Sequence, residues 1–117
     1  MRLPWLIAAL FLCALLAALH IWATSGFYYW HYPWLDVAAH YLGGLSLGAL
    51  LVGLLMHRRP RIYLGVFAAL AISWELFEYF SGIPRAANFV FDTSLDLLMD
   101  ALGALTVYTL ARTTSWR

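Results

Sequence analysis

The chain has 117 residues, 64% of them hydrophobic and only 11% charged, with a mean hydropathy of +0.78. Soluble domains run nearer half apolar and a quarter charged, so this composition excludes an ordinary soluble globule. A net charge of +1 with no basic tract gives no footing for a nucleic-acid partner, and the single Cys13 excludes both an internal disulfide and a cysteine-rich metal knuckle.

At about 20 apolar residues per bilayer crossing, the length holds four spans and no separate soluble domain. The first span is predicted over residues 4–23. Pro4 suits a first-turn position, where its missing N–H has no helical partner, and His20 lies near the far end. The apolar run from Leu3 to Thr24 is long enough to cross, and its end lacks a convincing small-x-small cleavage site. It therefore reads as a retained span rather than a signal peptide. The loop from Thr24 to Pro33 is rich in aromatic side chains and carries no formal charge. It reads as an interfacial aromatic belt or as a cap folded over a site, with His31 contributing.

The second span is predicted over residues 34–56. Asp36 sits in its first turn, where the helix dipole favours an acid, and His40 follows one turn later on the same face. Gly44 and Gly48 have the G-x-x-x-G spacing that permits close helix approach in lipid. His57-Arg-Arg-Pro-Arg61 reads as a tight basic turn. The third span, residues 62–80, carries Glu75 and Glu78. The stretch from Ser81 to Phe91 has no helical period and carries Arg85. The fourth span, residues 93–111, is preceded by Asp92 and carries Asp96 and Asp100, so three acids recur at intervals of four on a face that Gly103 extends. The predicted fold class is all-α: residues 1–117 as a single four-helix transmembrane bundle.

Orientation follows from the arginines, since the chain has no lysine. Arg2, Arg58, Arg59, Arg61, Arg112 and Arg117 fall on one side of a four-span protein and only Arg85 on the other. The positive-inside rule then predicts both termini in the cytoplasm. All six acids fall in the outer turns of three spans, most of them within about 10 Å of one another in depth at a rise of about 1.5 Å per residue. His20 and His40 lie at similar depth.

Each central charge costs about 2.5–3.5 kcal/mol to insert, less near the interface, so the set costs on the order of 10 kcal/mol before mutual repulsion is counted. Shared protons or bound cations must offset this, and structural zinc contributes on the order of 10 kcal/mol. Carboxylates with histidine suit Zn, Mn or Fe and do not suit Cu(I) or an iron–sulfur cluster. Helical bundles build such centres, with one or two ions, from inward-facing acids on facing helices. The predicted metal ligands are Asp36, His40, Glu75, Glu78, Asp96 and Asp100. Asp36 has helix capping as its competing explanation, Asp92 reads as a cap or a residue behind the ligands, and His20 and His31 stay open as additional members.

These residues resemble the YjdF-like family of small bacterial inner-membrane proteins and, more distantly, the VanZ-like proteins. Asp36-Val-Ala-Ala-His40-Tyr is similar to an Asp-x-x-x-His-aromatic element, Glu75-Leu-Phe-Glu78-Tyr to a Glu-x-x-Glu-aromatic element, and Phe91-Asp-Thr-Ser-Leu-Asp96 with Gly103-Ala104 to an aromatic-Asp-Thr-x-x-Asp…Gly-Ala element. Val37 departs from the family's basic residue after the first Asp, and Ala87-Asn-Phe-Val90 from its polar run. Glu78 and Asp100, where VanZ-like proteins tend to have Gln and Asn, place the chain nearer the first group. The resemblance implies a compact multi-span bundle in the bacterial inner membrane and points toward the cell envelope.

The function expected from these residues is a membrane-embedded, metal-dependent hydrolase or transferase acting on a lipid or lipid-linked envelope substrate. Glu78 or Asp100 would act as the general base, with Arg85 facing the substrate's anionic group. The alternatives are an ion or proton pathway and a non-catalytic, metal-stabilised scaffold. The inner half of each span is nearly devoid of polar residues, which argues against a through-pathway. Expected partners are membrane lipids, and assembly into a homo-oligomer stays open.

Overall fold

The computed structural model describes residues 1–81 and 89–113. Among them are α1 (Leu3–Ser25), the single turn α2 (Tyr28–His31), α3 (Trp34–Gly53), a 3-10 turn (Met56–Arg58), α4 (Pro60–Phe80) and α5 (Phe89–Thr113), and no strand. The four long helices are each long and apolar enough to cross a membrane, and together they form the expected all-α four-helix bundle. Its longest dimension, 42 Å, matches the roughly 40–45 Å of a bilayer with its headgroups.

Several helix boundaries differ from the sequence reading by two residues or more. The second span ends at Gly53 rather than at residue 56. Gly53 is pressed against Leu6, where a Cβ would overlap the Leu6 side chain. Past it the chain turns through Leu55 in a left-handed conformation, φ 66°. The Arg2 N–H donates to the Gly53 carbonyl at 2.8 Å and fixes the start of α1 beside this turn. The third span begins at Pro60, which sits in the first helical turn, where proline costs no hydrogen bond. The fourth begins at Phe89, so Asp92 lies inside the first turn of α5 rather than capping it.

Helix α3 is central, packed along α5 on one side and α1 on the other, while α4 rests more lightly on the edge of the α3–α5 pair. The α3–α5 crossing is made by small residues. A Cβ at Gly44 would collide with the Asp100 carbonyl, and one at Gly103 would lie 2.7 Å from the Leu45 nitrogen. A Cβ at Gly48 would lie 3.2 Å from the Ala104 Cα. The G-x-x-x-G spacing is thus used within the chain, bringing two backbones into contact.

Each helix presents one stripe to the others, at intervals of three or four residues. On α3 it reads Asp36, His40, Gly44, Gly48, Val52. On α5 it reads Asp96, Asp100, Gly103, Val107, Ala111. On α4 the buried residues are Tyr63, Phe67 and Ala71, and the same spacing continues into Glu75 and Glu78. Every stripe is polar at one end of the bundle and apolar at the other. Hydroxyls within the bundle are satisfied by helix carbonyls: Tyr63 donates to Ala104 O at 2.7 Å, and Ser46 to Leu42 O at 2.8 Å. Tyr41 lies 3.0 Å from Thr106 Oγ1, which itself donates to Leu102 O.

Candidate metal centre

The close crossing at Gly44 and Gly103 sets His40 directly against the acid face of α5. His40 Nδ1 donates to Asp100 Oδ1 at 3.0 Å. His40 Nε2 points the other way, 3.4 Å from Asp96 Oδ2 and 3.7 Å from Asp36 Oδ1. The His40 side chain is 10% exposed and that of Asp96 4%, whereas Asp36 is 41% exposed and forms the open side of the cluster.

Helix α4 adds its acids from the edge. Donor atoms of Asp36, His40 and Asp96 lie within 4.8 Å of one another, as do those of His40, Glu75 and Asp100, and those of Glu75, Glu78 and Asp96. The six predicted ligands therefore meet at one end of the bundle, and as a group they can hold a metal ion. Glu75 Oε1 and Asp96 Oδ1 are buried with no hydrogen-bond partner. A buried carboxylate oxygen left bare costs about 1–3 kcal/mol or more, and coordination would satisfy both atoms.

The capping explanation for Asp36 does not hold. The residue at the N-cap of α3 is Pro33, no side chain caps the helix, and the Asp36 carboxylate faces His40 instead. Asp92 is half-buried and outside the three donor groups. Arg85 lies outside the described residues.

The aromatic loop contributes a different residue from the one expected. His31 is exposed, with its Nδ1 3.1 Å from the Phe27 carbonyl one turn back, and it does not join the acids. Tyr29, on the same turn, does approach them. Burial, together with the carboxylates of Asp36 and Glu78, pushes its phenol above the ordinary tyrosine range. His20 Nδ1 lies 3.2 Å from the Tyr29 hydroxyl, and His20 is outside the three donor groups. Nothing in the sequence singles out Tyr29 among its aromatic neighbours, because its position depends on the short helix α2.

No protein-family model, curated protein or solved structure matches this chain, so its function is argued from the geometry of the site itself.

Proposed function

We propose that this is a metal-dependent enzyme of the bacterial inner membrane, a hydrolase or transferase acting on a lipid or lipid-linked envelope substrate. The observation that carries the reading is the pair of distances from His40 Nε2 to Asp96 and Asp36, 3.4 and 3.7 Å. They are long for hydrogen bonds. Two ligands bound at about 2.1 Å in a tetrahedral site lie about 3.4 Å apart. Asp36, His40 and Asp96 would hold the ion. Asp100 fixes the ring and tautomer of His40 from behind, the usual arrangement of carboxylate, histidine and metal.

A divalent ion held there, Zn, Mn or Fe, would supply an activated water at neutral pH. Glu78 faces the same space from α4 and serves as the general base. Asp100, weighed for that role from sequence, is engaged with His40 and acts by positioning it. With the arginine-rich end in the cytoplasm, as the positive-inside rule predicts, the centre would face the outer leaflet at headgroup depth, where a lipid-linked substrate presents its polar part.

One observation favours a second reading. Helix α4 packs lightly, yet it supplies Glu75 and Glu78, so a bound ion would tie it to α3 and α5 as a staple. The test is to reconstitute the metal-loaded protein with a total bacterial lipid extract and follow the lipids by mass spectrometry. An enzyme consumes one lipid class over time, and Glu78→Gln stops this while retaining the metal. An unchanged lipid profile, with chelation opening α4 to proteolysis, supports the scaffold.

A further inference from the structure

The opposite end of the bundle holds a second polar constellation, remote from the acids. Arg2, His57, Arg58, Ala111 and Arg112 line a pocket where the start of α1, the 3-10 turn and the last turn of α5 converge. In the sequence His57 opens a tight basic turn. The residue is 3% exposed, and its Nδ1 is buried with no hydrogen-bond partner. Asp36, Glu75, Glu78, Asp96 and Asp100 all gather at the other end of the bundle.

We infer that this pocket binds the phosphate of an anionic phospholipid headgroup. The guanidinium fork matches phosphate oxygens with paired donors. The walls are held in place: Arg2 through its backbone bond to Gly53, and Arg112 over the ring of Tyr108 at 6.0 Å. A phosphate oxygen would give the buried His57 Nδ1 the partner it lacks. Burial and the neighbouring charges of Arg2, Arg58 and Arg112 hold the bare imidazole below its ordinary range, and a bound anion would relieve that opposition. A lipid is favoured over free phosphate because the pocket sits where the spans end, at headgroup level, and basic pockets between transmembrane helices select anionic headgroups.

The test titrates the protein in neutral detergent with phosphatidylglycerol, phosphatidylcholine or inorganic phosphate. It reads the melting temperature and the ¹⁵N shifts of His57. The expected result is stabilisation and a shifted His57 Nδ1 signal with phosphatidylglycerol alone. The apparent affinity should fall at least about tenfold in Arg2→Gln/Arg58→Gln. It should change less than about twofold in Arg59→Gln/Arg61→Gln, which removes equal charge from outside the pocket. Equal loss in both double variants would reduce the effect to net charge and overturn the site. Inorganic phosphate reproducing the response at the same concentration would overturn the lipid assignment. The His57 signal is read on the unsubstituted protein, so an unmoved signal overturns the proposal even if the variants fail to fold.

Discussion

His40 uses its two ring nitrogens differently, and this asymmetry defines the candidate centre. Nδ1 is occupied by Asp100, which leaves Nε2 as the atom facing Asp36 and Asp96. The pairing of Asp36 with His40 was legible in the sequence, because residues four apart share a helix face. So was the inward direction of Asp96 and Asp100, since idle acids in lipid are costly. Which nitrogen meets which carboxylate was not legible, because that depends on how closely two backbones approach. The burial of His57 was not legible for a related reason: it comes from the convergence of chain segments distant in sequence.

Its surroundings yield a pH prediction. The folded state disfavours the His57 imidazolium, so below the ordinary value of 6.5 the unfolded chain binds the extra proton. Stability then falls with acidification from about pH 6.5 down to the lowered folded value. In lipid-free detergent, the melting temperature of the wild type should drop relative to His57→Gln as the pH is lowered from about 7.5 to 5.5. A gap that stays constant would mean His57 is not opposed by Arg2, Arg58 and Arg112.

At the scale of the element, the fold rests on stripes of small residues. The periods that place Gly44, Gly48 and Gly103 on facing sides were readable, and so were the four spans. Helix ends were not, since they follow from contacts such as Gly53 on Leu6 and from the left-handed turn at Leu55. Nor was α2 foreseen within the aromatic loop, or the light packing of α4, which hydropathy alone cannot distinguish from that of α3. The crossing also makes the site, because His40 and Asp100 meet immediately above Gly44.

Gly44→Val should therefore act twice. Its side chain meets the Asp100 backbone, which cannot swing aside, so α3 and α5 must separate. Overpacking of this kind costs about 1–3 kcal/mol. Thermal denaturation should show that loss, and metal retention should fall with it as Asp100 leaves His40. A variant of unchanged stability and metal content would show that the two helices do not cross at this point.

For the whole molecule, the consequence is polarity along one axis. Asp36, Glu75, Glu78, Asp96 and Asp100 gather with His40 at one end, while Arg2, Arg58 and Arg112 gather around His57 at the other. Between them the stripes are small or apolar, and their hydroxyls are closed on helix carbonyls. The separation was visible in the sequence as six acids at one depth and all arginines but Arg85 at the other, and the described residues of the bundle follow it. The arginine end suits anionic headgroups, whereas the acid end is tolerable only when its charge is offset.

The most direct measurement of that offset is the metal content of the folded protein, by elemental analysis after loading with Zn, Mn and Fe(II) in turn and desalting. A stoichiometric amount of one of these metals should remain on the wild type and be lost from His40→Gln and Asp96→Asn. A well-folded wild type that retains none of the three would contradict the metal centre and leave the carboxyls to share protons instead.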